Sequence, residues 1–143
     1  MGRKPRVTIL LVDDDPLIRS LGRELLEKLG YRVAAAGDAY EALEFYRRLG
    51  GADLVILDYY LPDRDGCHIL QELKALDGEV RVLMASGFFP AREAARLRKE
   101  GALGFINKPY RVAELESRIE EALRGCRPGP PVVRTGKARP LPG

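Results

Sequence analysis

Five times along this chain a short, largely apolar run is followed by a segment in which apolar residues recur every three or four positions. That alternation constrains the fold more than any other feature. Apolar runs joined by amphipathic helices form parallel strands, with the helices covering both faces of the sheet. The runs predict strands over 7–12, 31–36, 53–57, 80–85 and 103–106. The first helix follows Asp15-Pro16, an acid at the cap and a proline at the first helical position, and its leucines at 17, 21, 25 and 29 are expected to face inward. The second opens on Asp38-Ala-Tyr-Glu41, a capping-box-like pair of acids, and should bury Ala42, Leu43 and Tyr46. The third carries Ile69, Leu70, Leu73 and Leu76. The fourth, over 90–100, offers Ala94, Ala95 and Leu97. The fifth, over 111–124, offers Val112, Leu115, Ile119 and Leu123.

At 143 residues the chain suits one domain with a real core. The ends depart from the core pattern, so three regions are expected: a disordered basic start over 1–6, one folded unit over 7–125, and a disordered basic tail or linker over 126–143, which holds five of the ten prolines. The formal charge of +3 could suggest a nucleic-acid partner, but its placement argues otherwise. The two ends carry seven basic groups and no acid, leaving 17 basic against 21 acidic groups between 7 and 125. A basic DNA-reading face on the folded part is therefore not expected. The longest apolar runs are far short of the roughly 20 residues that span a bilayer, and no signal-peptide pattern follows the basic start, so a cytoplasmic location with no membrane attachment is expected. Cys67 and Cys126 form no disulfide framework and are expected to be free thiols. No GxGxxG or P-loop pattern is present.

In an open parallel sheet, ligands bind at the carboxyl ends of the strands, where strand order reverses. Those ends deliver Asp13, Asp14 and Asp15 from the first strand, Asp58 from the third, Ser86 from the fourth, and Lys108 followed by Pro109 from the fifth. Converging carboxylates repel one another and call for a cation. Oxygen ligands without histidine or cysteine suit Mg²⁺ or Mn²⁺, with Asp14 and Asp58 as direct ligands, Asp13 acting through water, and Asp15 capping the helix. Asp58 can also be a nucleophile for phosphoryl transfer, with the Lys108 ammonium and the Ser86 hydroxyl meeting phosphoryl oxygens.

With those residues in place, the stretch from about 7 to 123 resembles the receiver domain of two-component response regulators. LLVDDDP matches that family's acidic pair, LVILDYYLPDRDG its phosphoacceptor strand and loop, VLMASG its Ser/Thr position, and FINKPY its Lys-Pro. The resemblance implies a flavodoxin-like, doubly wound α/β fold: a five-stranded parallel sheet in order 2-1-3-4-5 with five helices. It implies that Asp58 accepts phosphate from a sensor histidine kinase or a histidine phosphotransfer protein. Mg²⁺ would sit on Asp13, Asp14, Asp58 and the Tyr60 backbone carbonyl, and the Lys108-Pro109 bond would be cis. It also implies a switch: Ser86 moves toward the phosphoryl group, Phe105 turns into the vacated space, and the surface of the fourth helix, fifth strand and fifth helix changes for an output partner or a homodimer. The chain would then be a phosphoacceptor switch in a phosphorelay rather than an enzyme with a diffusible substrate.

Tyr60 and Phe88, two residues after Asp58 and Ser86, are large where that family varies, and are expected to restrict attacking water. His68, the only histidine, falls in the third helix away from the strand ends and reads as a surface or packing residue. A phosphatase of the haloacid-dehalogenase type would want an acid at position 60, where Tyr60 stands. A pure interaction module would have no use for Asp14, Asp58, Ser86 and Lys108 together. No effector domain follows 125 in this sequence, which fits a stand-alone regulator or a receiver from a longer protein.

Overall fold

The computed structural model describes residues 7–125; the segments 1–6 and 126–143, including Cys126, lie outside the described residues. Strands β1 (Thr8–Val12), β2 (Arg32–Ala36), β3 (Leu54–Asp58), β4 (Val82–Ser86) and β5 (Gly104–Asn107) alternate with helices α1 (Pro16–Lys28), α2 (Ala39–Leu49), α3 (Gly66–Leu76), α4 (Ala91–Lys99) and α5 (Val112–Gly125). All pairings are parallel. The order is β2-β1-β3-β4-β5, the flavodoxin-like arrangement. Strand order reverses between β1 and β3, so the crevice at their carboxyl ends is the binding position of such a sheet.

Side chains alternate across the strands, and the alternation builds two cores. Leu10, Val12, Val55, Leu57 and Met84 face one side with Ile69, Leu70 and Leu73 of α3. Ile9, Leu11, Leu54, Ile56 and Leu83 face the other with Leu26 of α1 and Leu115 and Ile119 of α5. Strands covered on both faces have no polar side to show, which is why they read as unbroken apolar runs. β3 and β4 each run one residue past the expected end, so Asp58 and Ser86 belong to the sheet. β4 starts at Val82 rather than 80, because the Val80 N–H closes a turn onto the Asp77 carbonyl.

The helix faces need correction. On α1 the buried residues are Gly22 and Leu26, while Leu17 is 76% and Leu21 42% exposed. A step of four residues overshoots one turn by ~40°, so a series at 17, 21, 25 and 29 spirals around the helix and reaches the core only at its end. The helix meets the sheet instead at Gly22, where an added Cβ would lie 3.0 Å from Leu11 Cδ2 and 3.1 Å from Tyr110 Cε2. Leu76 and Val112, also expected inward, are exposed at helix ends, and Ala95 is exposed in the middle of α4. Cys67 is a buried free thiol, and His68 lies on the exposed side of α3.

The caps follow the acids. Asp15 accepts from the Leu17 and Ile18 N–H groups at 2.9 and 3.3 Å, and Asp38 accepts from the Glu41 N–H at 2.8 Å. Among the described residues, no helix is long and apolar enough to cross a membrane.

Truncating leucines of α1 separates the two readings of its inner face. Leu26→Ala should cost about 2 to 5 kcal/mol in urea unfolding, as a fully buried leucine does, whereas Leu17→Ala should change stability by no more than about 0.5 kcal/mol. Comparable losses would contradict this packing.

Candidate functional site

The carboxyl ends of β1, β3 and β5 bring three of the expected groups into direct contact. Asp13 is fully buried and Asp58 is 3% exposed, and the Lys108 ammonium reaches both, 2.9 Å from Asp13 Oδ2 and 3.0 Å from Asp58 Oδ2. One oxygen from each of Asp13, Asp14 and Asp58 lies within 4.8 Å of the others, with Asp14 the exposed member. The remaining oxygens are held by the main chain: Asp13 Oδ1 accepts from the Asp15 N–H at 3.0 Å, and Asp58 Oδ1 from the Tyr60 N–H at 3.2 Å. Lys108 is itself aimed by the sheet, since its N–H donates to the Ser86 carbonyl at 3.0 Å. The Lys108-Pro109 peptide bond is cis.

Burial and the neighbouring Asp13 charge push the Asp58 carboxyl above the ordinary carboxylate range, against the pull of Lys108. For Lys108, burial works against the ammonium, but its hydrogen bonds and the charges of Asp13 and Asp58 win, and its pKa is raised. One ammonium facing two buried carboxylates and a third exposed one leaves the cluster electron-rich. Its donors are all oxygen, the set that hard divalent cations prefer.

Ser86 is 2% exposed, but its hydroxyl is engaged with its own loop: it donates to the Phe88 carbonyl at 3.0 Å and accepts the Phe88 N–H at 3.2 Å. Phe105 is half-buried on β5, outside the carboxylate cluster. Its ring packs edge-on against Phe89, with centroids 4.9 Å apart, and lies 5.0 Å below the Arg98 guanidinium. Tyr60 and Phe88 are exposed. The Asp15 side chain caps α1, while its N–H holds Asp13.

Several residues that hold the site were not anticipated. Arg19 Nη1 donates to the Asp13 carbonyl at 2.7 Å, fixing the loop after β1. The loop after β3 is pinned at several points. The Gly66 N–H donates to the Tyr59 carbonyl at 2.8 Å, and the Asp63 carboxylate accepts from the Ala39 and Tyr40 N–H groups of α2. Arg64 pairs with Glu72, and Asp65 caps α3. Gly66 has no alternative there: a Cβ would lie 2.9 Å from Tyr59 Cα and 2.6 Å from Met84 Cε. The Tyr59 hydroxyl donates to Glu93 of α4 at 2.7 Å. Asp65-Gly66 ahead of an apolar run carried a cap signal; Asp63 and Tyr59 reach partners 24 and 34 positions away, where no local pattern points.

With that geometry in hand, the comparisons are specific. The family model for the response regulator receiver domain matches residues 9–120, and the chain belongs to that family. Receiver domains are the phosphoacceptor switches of two-component signalling, so membership places the chain in a phosphorelay. Chemotaxis protein CheY of Halobacterium salinarum is 32% identical over 115 residues, covering 80% of this chain and 95% of that protein. Sensor kinase CckA of Brucella abortus is 33% identical over 117 residues, 81% of this chain. The chain spans only 12% of that kinase, and 25% of the DNA-binding transcriptional regulator NtrC of Azospirillum brasilense. Among solved structures, a CheY-like receiver domain protein from Methanospirillum hungatei superposes with a TM-score of 0.78 at 29% identity, covering 85% of this chain and 96% of that one.

Two stability measurements probe this arrangement. Lys108→Met strands two buried carboxylates and should cost about 3 kcal/mol in metal-free buffer, the low end for a broken buried pair; parental stability would show that the lysine does not provide the compensation. The Asp65 carboxyl is held below its usual range, chiefly by the His68 N–H, with burial opposing. A lowered folded-state pKa means that this stabilisation is present above the unfolded value and is lost as pH falls through the folded one. Asp65→Ala should therefore cost about 1 kcal/mol near neutrality, and its gap from the parent should narrow from about pH 4 downward.

Proposed function

We propose that this chain is a Mg²⁺-dependent phosphoacceptor switch in which Asp58 receives a phosphoryl group from the phosphohistidine of a sensor histidine kinase or a histidine phosphotransfer protein. One observation carries the reading: the Lys108 ammonium lies within 3.0 Å of carboxylates from two different strands, with a third carboxylate beside them. An Asp58 oxygen attacks phosphorus, the P–N bond breaks with its electron pair staying on the ring nitrogen, and the imidazole, already protonated on its other nitrogen, leaves as a neutral histidine, which gives an acyl phosphate. Asp13, Asp14, Asp58 and the Tyr60 backbone carbonyl would hold the Mg²⁺, whose charge would offset that of the transferred group. Lys108 moves from its carboxylates to a phosphoryl oxygen as the negative charge shifts there.

The Ser86 hydroxyl is the group available to the phosphoryl group from β4, and it reaches it by giving up Phe88. Phe105 then turns inward, and the surface of α4, β5 and α5 becomes the output face. Taking such an equilibrium from ~1:99 to ~99:1 needs about 5.5 kcal/mol of differential stabilisation, so a partial shift is the realistic outcome. Tyr60 and Phe88 restrict water that would hydrolyse the acyl phosphate. The receiver unit is assigned to residues 7–125, and a kinase donor that uses ATP puts it in the cytoplasm. The chain turns over no diffusible substrate.

Intact-mass measurement after incubation with acetyl phosphate and Mg²⁺ tests the assignment. The parent should gain one phosphoryl group, and Asp58→Asn or excess EDTA should abolish the gain; equal labelling of parent and variant would end this reading. In the same assay, phosphorylated Tyr60→Ala should lose its label faster than the parent. An unchanged lifetime would show that Tyr60 does not shield the acyl phosphate.

A further inference from the structure

Asp14 is the exposed member of the carboxylate cluster, so its aim depends on the main chain on either side of it. Both flanking peptides are held. The Asp15 N–H donates to Asp13 Oδ1 at 3.0 Å, which fixes the peptide after Asp14. The peptide before it is fixed from α1: Arg19 Nη1 donates to the Asp13 carbonyl at 2.7 Å, while the Asp13 N–H donates to the Ala36 carbonyl at 3.0 Å. We infer that Arg19 is a positioning residue for the divalent cation, setting the Asp14 carboxylate through the Asp13 carbonyl, and that position 37 is glycine to leave the guanidinium room. The inference rests on the cation reading above.

Gly37, between β2 and α2, supplies the second observation. A Cβ there would lie 3.0 Å from Arg19 Nη1 and 3.5 Å from its Cζ. Its φ is not left-handed, unlike those of Gly30, Gly50, Gly51 and Gly101, so the backbone does not demand glycine at this position. Close approach does. The loop is not free to back away, because Glu41 Oε1 accepts the Gly37 N–H at 2.7 Å and the neighbouring Ala36 carbonyl holds the Asp13 N–H. A side chain at 37 would push the guanidinium off the carbonyl it grips.

Charge and position pull in opposite directions here. Removing a guanidinium beside an acidic cluster should, by charge alone, strengthen cation binding. That effect is small: Arg19 is partly exposed and screened, and the Asp13 and Asp58 carboxylates are paired with Lys108 instead. Loss of a group that orients a metal ligand weakens metal binding by about 10- to 100-fold. Position therefore wins, and the direction of the change separates the two effects.

The test is a Mg²⁺ titration of the full isotope-labelled chain, followed by the amide shifts of Asp14 and Tyr60. Arg19→Met, which keeps the stem and removes the donor, should weaken binding about tenfold. Arg19→Lys, which keeps a donor, should recover part of the loss. Gly37→Ala should weaken binding to a lesser degree in the parent and add nothing in the Arg19→Met background, where no guanidinium is left to displace. Arg23→Ala, one turn further along α1 and paired with Glu27, should leave the affinity unchanged. Acetyl phosphate labelling of Arg19→Met should lag at limiting Mg²⁺ and reach the parental rate at saturation. Urea unfolding in EDTA establishes that each variant is folded, and Gly37→Ala carries the test if Arg19→Met is not. Unchanged or tighter binding by Arg19→Met, no recovery by Arg19→Lys, or labelling that stays slow at saturation would overturn the role of Arg19. An equal effect of Gly37→Ala in both backgrounds would overturn that of Gly37. A parent whose shifts do not respond to Mg²⁺ would instead refute the cation reading itself.

Discussion

A single ammonium held between carboxylates from two strands organises this molecule. Lys108 arrives at the end of β5, Asp13 at the end of β1 and Asp58 at the end of β3, and the three meet because β1 and β3 are neighbours at the point where strand order reverses. In low dielectric, neither a lone ammonium nor two facing carboxylates would be tolerable; together they are bearable but still short of positive charge. In the proposed function, that residual deficit is what would make the cluster a receptor for a cation and, with a cation present, for a phosphoryl group. Much of the surrounding structure keeps this pairing in register. Arg19 anchors the Asp13 main chain, the carbonyl of Ser86 aims Lys108, and caps and an ion pair fix the loop that carries Tyr60.

The groups that would move are those with the weakest ties to the cluster. Ser86 spends its hydroxyl on its own loop, and Phe105 leans on Phe89 beneath Arg98. Tyr59 joins this set from the other direction. It directly follows Asp58, packs edge-on against Phe89 with centroids 6.2 Å apart, and hydrogen-bonds Glu93 of α4. The residue adjoining the carboxylate cluster is therefore in contact with the first turn of the helix that carries Arg98. A chain of packed aromatics is a physical route along which a charge change at Asp58 can reach α4, provided the packing has two states.

How much of this could be read beforehand differs by element, for physical reasons. The strands were legible because burial on both faces writes itself as an unbroken apolar run, and the meeting of Asp13, Asp14, Asp58 and Lys108 was legible because strand ends in this topology converge; the turn of the Ser86 hydroxyl onto its own loop was not. The inner face of α1 was not. Leucines drew the attention, while the contact is made by Gly22, a residue that signals by lacking a side chain. The anchors of the loop after β3 were illegible for another reason: the acceptor for the first N–H groups of α2 is Asp63, far along the chain, and local propensity carries no information about such a pair. The charge totals gave a misleading sum as well, since the basic excess belongs to the termini and the body between them is acidic.

The proposed function stands on the carboxylate shared by Lys108 and the acidic loop becoming an acyl phosphate. Borohydride reduces an acyl phosphate to an alcohol, so reduction of the chain after treatment with acetyl phosphate and Mg²⁺ marks the modified aspartate as homoserine, which tandem mass spectrometry can locate. Homoserine is expected at position 58. Homoserine at another carboxylate, or at none, would contradict it.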